Sequence, residues 1–170
     1  MSMKIKIPWA KPEIGLEELD AVTQVFKSNW LTTGKKVKTL EEKLSDFLDI
    51  KHSIAVSNGT DAIDVVLKTI GIKAGDEVII PASSYIATAS AVSYQNAIPV
   101  FVDIDPVSMN IDPTKIREAI SDKTKAIIFI DYGGYPAQGD EVRAIANQHN
   151  IPVILDGAHS IGTFHMGKTT

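Results

Sequence analysis

Five short apolar runs, each bounded by turn residues, constrain this chain more than any other feature. They are Ile54-Ala55-Val56, Val78-Ile79-Ile80-Pro81, Pro99 to Val102, Ala126 to Ile130 and Val153 to Leu155. Short runs of this kind read as buried strands. They are apolar throughout, rather than alternating apolar with polar, so both faces of each strand need cover. The pattern predicts an α/β fold: a mostly parallel sheet with helices on both faces.

The stretches between the runs have helical spacing. Asp61 to Ile70 places Ile63, Val66, Leu67 and Ile70 on one face, and Gly71 and Gly75 end it. Ile86 to Gln95 is a helix of small residues that can pack close to a sheet. Asp112-Pro113 reads as an N-cap with proline at the first helical position, opening a helix to about Ile120. Residues 139–149 form the next helix. Two more helices precede the first run. Leu16, Leu19, Val22, Thr23 and Phe26 define Gly15 to Lys27, and Val37, Leu40, Leu44 and Leu48 define the second. Between them lies Ser28-Asn29-Trp30-Leu31-Thr32-Thr33-Gly34, a loop by composition. Residues 1–14, with Pro8 and Pro12, are expected to be irregular. The predicted organisation is a leading helical arm with its loop, residues 1–50, and a sheet domain, residues 51–170. Ile161 to Thr170 has turn composition, suits half of a hairpin, and is followed by no further strand.

Composition excludes several classes. The 170 residues carry a net charge of −4 with no basic block, which argues against nucleic acid as the main partner. No cysteine is present, which excludes disulfides and thiolate metal sites. His52, His149 and His165 lack ligand spacing with acids, so no metal site is expected. The first six residues contain no apolar signal core, and no run approaches the roughly 20 residues needed to span a bilayer. A cytoplasmic protein is the expectation.

Candidate site residues collect at the carboxyl ends of the predicted strands, where open α/β folds bind ligands. Ser57-Asn58-Gly59-Thr60 joins a strand to a helix. Gly59 lets a ligand approach the backbone, the helix start offers free N–H groups, and Thr60 adds a hydroxyl, as a phosphate cradle requires. The same residues also suit a plain turn with Thr60 as N-cap. Tyr85, just past the second run, can stack on a planar ligand or serve as a wall. Asp156 ends an apolar strand, where an unpaired carboxylate is costly. A protonated pyridine nitrogen would resolve that cost and be held protonated in return. Capping the next turn's N–H groups is the equal alternative. His159 can bond the same ligand or be an ordinary satisfied histidine. Asp103, Asp105 and Asp131 can be argued as paired carboxylates, although Asp-x-Asp before Pro106 better suits a turn. A phosphate cradle, a stacking aromatic and a strand-end acid at one rim together describe a pyridoxal phosphate pocket. A dinucleotide domain is disfavoured by the lack of GxGxxG and of a ribose-binding acid about 20 residues on.

The ordered motifs make the chain resemble the DegT/DnrJ/EryC1/StrS family of nucleotide-sugar aminotransferases, which have the aspartate-aminotransferase type I fold. Trp30-Leu31-Thr32-Thr33-Gly34 is similar to the family's WLTTG loop, implying Thr32, Thr33 and Gly34 near the substrate. Ser57-Asn58-Gly59-Thr60 is similar to its phosphate turn, implying Gly59 and Thr60 as phosphate ligands. Gly75-Asp76-Glu77-Val78-Ile79 with Pro81, and Val100-Phe101-Val102-Asp103-Ile104-Asp105, match its GDEVI-x-P and VFVDID segments. Tyr85 falls at its ring-stacking position. Asp156-Gly157-Ala158-His159-Ser160 matches its D-x-A-[HQ] element, which implies Asp156 on the pyridine nitrogen and His159 by the 3-hydroxyl.

There are departures. Lys35 stands where proline is common, and Asp131-Tyr132-Gly133-Gly134-Tyr135-Pro136 replaces H-x-Y-G-Q. The family's Schiff-base lysine sits in an S-x-H-x-x-K segment beyond the region matching Gly167-Lys168, and Lys168 matches a turn position. The resemblance therefore implies an incomplete PLP-binding large domain without the C-terminal small domain. It also implies a transaminase for sugar and polysaccharide biosynthesis, with keto-sugar nucleotide and glutamate as small-molecule substrates, working as a homodimer. The 170 residues alone are expected to be inactive. The alternative expectation is a non-catalytic module that binds PLP or a nucleotide sugar, or half of a split enzyme.

Overall fold

The computed structural model describes residues 11–165 and 167–169, and the predicted irregular segment through residue 10, with Pro8, lies outside them. Four parallel strands form the sheet: β1 (Glu77–Pro81), β2 (Ile98–Val102), β3 (Thr124–Ile130) and β4 (Val153–Asp156), in the order β2-β1-β3-β4. The register pairs Ile79 with Val100 and Ile127, and Ile128 with Ile154. The helices are α1 (Leu16–Ser28), α2 (Lys35–Leu48), α3 (Gly59–Thr69), α4 (Ile86–Tyr94), α5 (Pro113–Ala119) and α6 (Gly139–Gln148). Asp112 caps α5 as expected, accepting from the Thr114 N–H at 2.8 Å.

Side chains alternate across the sheet, and so the apolar strands feed two cores. Val78, Ile80, Ala126 and Ile128 pack with Ile63 and Leu67 of α3 and with Ala91 and Val92 of α4. Ile79, Ile127 and Phe129 pack on the other face with Ile116 of α5 and Val142 and Ile145 of α6. Each buried Val, Leu, Ile or Phe among them contributes about 1.5–3 kcal/mol by leaving water. Small residues let α4 sit close: Ala87, Thr88 and Ala91 are all buried.

Three expectations need correction. Ile54-Ala55-Val56 is not a strand, so the sheet has four parallel strands rather than five. A strand needs a neighbour to take its N–H and C=O groups. Among the described residues none presents one to Ile54–Val56; the Ala55 N–H instead donates to Glu41 Oε1 at 2.9 Å, and Ile54 stays 80% exposed. The end of the chain forms both halves of a hairpin, β5 (Phe164–His165) antiparallel to β6 (Lys168–Thr169). Lys168, expected in a turn, pairs with His165, because Gly167 makes the turn at φ +79°.

Candidate cofactor site

The direction of the chain sets the site. The turn from Ile70 to Asp76 joins the end of α3 to the start of β1, so α3 runs against the strands. Its N-terminus therefore lies at the carboxyl rim of the sheet. Here Asn58 is the N-cap, its Oδ1 accepting from the Asp61 N–H at 2.9 Å. Its carbonyl takes the Ala62 N–H at 3.1 Å. Among the described residues the Gly59 and Thr60 N–H groups have no partner. A Cβ added at Gly59 would meet nothing within 4 Å, so the space in front of this turn is open. Thr60 is not the cap; Asn58 is, because an asparagine in extended conformation reaches its own third residue. Ser57 Oγ and Asn58 Nδ2 both donate to the Asp61 carboxylate and hold it to the turn.

Tyr85 is the N-cap residue of α4, just past β1 at the same rim, and is 77% exposed. Its ring is thus available as a stacking surface rather than as core. Asp156 closes β4 opposite Ile130. Alternation puts it on the same side as Ile154, the side where α3 and α4 pack. It is half-buried. Its Oδ1 accepts from the Ala158 N–H at 3.1 Å, and among the described residues Oδ2 accepts no bond. One oxygen thus caps the turn, and the other has no partner among the described residues. The start of α3, Tyr85 and Asp156 share one face at one rim.

His159 is exposed, and its Nδ1 accepts from the Gly133 N–H at 3.2 Å. Its ring stands edge-on to Tyr132, with centroids 6.5 Å apart. The loop after β4 is tied again to the turn after β3 through Thr163 Oγ1, which donates to the Gly134 carbonyl at 3.2 Å. Gly134 has φ +82°, and a Cβ there would come within 2.8 Å of the His159 carbonyl oxygen. Gly134 is what lets these loops approach.

Among the described residues no hydrogen bond joins Thr32, Thr33 or Gly34 to Gly59, Thr60, Tyr85, Asp156 or His159. Thr32, Thr33 and Gly34 are part of the arm, where Trp30 folds back so that Nε1 donates to the Thr33 carbonyl at 3.1 Å. A Cβ on Gly34 would run into the indole, 2.7 Å from Cδ1, which explains the glycine. A groove of about 490 Å³ opens there between Val25, Trp30, Thr32 and Lys36. Of the acids weighed as a carboxylate pair, Asp105 and Asp131 each bond within their own loop. Asp105 Oδ1 accepts from the Val107 and Ser108 N–H groups at 3.1 and 2.7 Å, and Ser108 holds its carboxyl below the usual aspartate range. Asp131, 3% exposed, accepts from the Ala137 N–H at 2.9 Å, and its Oδ2 has no partner among the described residues. Among those residues no three His, Asp or Glu gather as a metal set. No helix there is long and apolar enough to cross a membrane.

Sequence reasoning missed Asn110. It is 2% exposed, and its side chain bonds the backbone at Tyr132 and Tyr135. No spacing marks it, because its partners lie 22 and 25 residues away.

Solved structures similar to this chain include aminotransferases. An aminotransferase of Psychrobacter cryohalolentis is 38% identical with TM-score 0.90, over 96% of this chain and 42% of that one. NtdA of Bacillus subtilis, with pyridoxamine phosphate bound, is 38% identical with TM-score 0.85, over 89% of this chain and 35% of that one. DesV of S. venezuelae, in complex with a ketimine intermediate, is 30% identical with TM-score 0.88, over 91% of this chain and 42% of that one. The chain thus spans less than half the length of these structures. The fold is the type I fold of PLP-dependent aminotransferases. The model of the DegT/DnrJ/EryC1/StrS aminotransferase family matches residues 12–170, and this chain belongs to that family.

Proposed function

We propose that this chain is the cofactor-holding part of a pyridoxal phosphate-dependent sugar aminotransferase. Its substrates are a keto-sugar nucleotide and, as amino donor, glutamate. It works as a cytoplasmic homodimer in sugar and polysaccharide biosynthesis. One observation carries the reading: two unpartnered N–H groups at a helix start, an exposed tyrosine and a half-satisfied carboxylate share one face of the sheet rim. Family membership supports the same chemistry.

The residues present fit the cofactor. The open space at Gly59 admits a phosphate, and the Gly59 and Thr60 N–H groups with the helix dipole would hold it. Tyr85 would cover one ring face. Asp156 Oδ2 would accept from the ring N–H and favour its protonated form. His159 would donate from Nε2 to the 3-oxygen. When bound, the cofactor supplies an electron sink for charge on the substrate carbon. The chain's part is to bind it, orient it and keep the ring nitrogen protonated. In this reading Thr32, Thr33 and Gly34 belong to the substrate side of the assembled enzyme, and the 170 residues alone hold the cofactor without a covalent bond.

The test is equilibrium binding of pyridoxal phosphate to the 170-residue chain, followed by borohydride reduction and mass spectrometry. Binding without an adduct is expected, with pyridoxal lacking the phosphate bound far more weakly. Asp156→Ala is expected to weaken binding about tenfold or more, the cost of losing one hydrogen bond to a charged group. Equal binding by Asp156→Ala, or tight binding of NAD in preference, would sink the reading; a reduced lysine adduct would overturn the non-covalent part.

A further inference from the structure

We propose that Asn110 is a positioning residue that fixes the tautomer and orientation of His159. The role for His159 at the ring oxygen rests on the proposed cofactor site; the clamp itself does not.

Asn110 belongs to the loop after β2. Asp105 folds that loop on itself: its N–H donates to the Asn110 carbonyl at 2.8 Å, and Met109 takes φ +62° to complete the turn. A bridge between Ile104 and Ile111 closes its base. The Asn110 side chain is thereby delivered, buried, under the turn Tyr132–Gly134 that follows β3. Its Oδ1 accepts from the Tyr132 N–H at 2.8 Å, and its Nδ2 donates to the Tyr135 carbonyl at 3.0 Å. A backbone donor faces one end of the amide and a backbone acceptor the other, so the amide has one orientation that satisfies both. A single side chain thus clamps the entry and the exit of the turn.

What the clamp presents is the Gly133 N–H, aimed at His159 Nδ1 at 3.2 Å. Gly133 has φ +62°, a conformation the turn must keep for that N–H to point outwards. A nitrogen that accepts a bond carries no proton, so neutral His159 bears its proton on Nε2. Nε2 is then the donor available to a ligand. Without the Gly133 N–H, an exposed imidazole exchanges tautomers and rotamers. Asn110 therefore acts on His159 through the backbone of the intervening turn, touching neither His159 nor a ligand.

The experiment uses the 170-residue chain with 15N-labelled histidine and long-range 1H–15N NMR, the His159 signal being assigned with His159→Gln. Well above the histidine titration range, wild type is expected to show His159 as one tautomer, protonated at Nε2. In Asn110→Ala its two nitrogen shifts should move towards each other as tautomers mix. Asp112→Ala, which removes the α5 cap without touching the clamp, should lower stability and leave the His159 signal unchanged. Binding gives the second readout: Asn110→Ala should lose about tenfold in pyridoxal phosphate affinity, one hydrogen bond's worth. It should lose nothing for 3-deoxypyridoxal phosphate. If Asn110→Ala does not fold, Asn110→Asp is read in the same way, since it keeps the acceptor for Tyr132 and loses the donor to Tyr135. A fixed Nε2–H tautomer in the variant, or mixed tautomers in wild type, overturns the proposal. A clamp that behaves as expected in a chain that binds no pyridoxal phosphate overturns the cofactor reading alone.

Discussion

The arm and the sheet unit are built from helices of the same kind and end in opposite situations. α1 and α2 have apolar stripes at helical spacing, as α3 and α6 do. Yet α1 and α2 bury no residue, whereas α3 buries Ile63 and Leu67 and α6 buries Val142, Ile145 and Ala146. Leu19, Phe26, Leu40 and Phe47 of the arm stay more than half exposed. An amphipathic stripe states which face will be buried if a partner surface is offered; it supplies no partner. The sheet supplies one for α3 to α6. For α1 and α2 the proposed homodimer is the natural source.

The largest expected effect tests that contrast directly. Phe129 of β3 is 2% exposed and packs with α6, and Phe129→Ala should cost about 3–5 kcal/mol. Phe26→Ala in the arm should stay within about 0.5 kcal/mol for the isolated chain. Urea unfolding at constant m-value gives both numbers. A large cost for Phe26→Ala that grows with protein concentration would show that the arm stripe is covered by association.

The same contrast explains what is legible in the sequence. β1 and β3 can be read from composition because a central strand buried on both faces must be apolar along its buried run, as Val78, Ile79 and Ile80 are. Ile54-Ala55-Val56 is equally apolar and forms no strand, since a run of apolar residues says nothing about whether a neighbouring strand exists. Tyr85 and Asp156 are legible because each sits next to a strand end, and strand ends define the rim. The Gly133–His159 bond and the Asn110 clamp are not. They join the loops after β2, β3 and β4 across 22 to 26 residues, and only the sheet, in the order β2-β1-β3-β4, brings those loops to one rim.

A middle-sized effect comes from one turn in each region. Gly34→Ala should push the Trp30 indole off the loop and break its bond to the Thr33 carbonyl, worth about 1 kcal/mol. Gly134→Ala meets a backbone oxygen rather than a side chain, and strains a φ of +82°. It should cost more and should disturb the His159 NMR signal, while Gly34→Ala shifts only Trp30 fluorescence, read with Trp9→Phe in the background. Equal costs would mean that the two loops of the sheet unit are no more interlocked than the arm's single loop.

The smallest effect is electrostatic. Glu18 accepts from the Gly15 N–H at 2.7 Å, half of a capping box at the start of α1, and that bond holds its carboxyl below the usual glutamate range. Asp105 is held low by the Ser108 N–H in the loop that carries Asn110. A carboxyl with a lowered folded value stabilises above its unfolded value, and the contribution is lost as pH falls through the folded one. Both bonds should therefore persist at neutral pH and fail only below the ordinary carboxylate range. The Gly15 and Ser108 amide shifts report each titration, and Glu18→Gln and Asp105→Asn abolish them. The two carboxyls differ in how far their protonation is felt. Loss at Glu18 should fray the first turn of α1 and nothing else, because no buried contact depends on it. Loss at Asp105 should loosen the Asn110 loop, so that the Tyr132 amide shifts along with Ser108. A Tyr132 amide indifferent to Asp105 would show that the loop is held by the Asp105 N–H bond to the Asn110 carbonyl and the Ile104–Ile111 bridge, with the carboxylate contributing only locally, as in the arm.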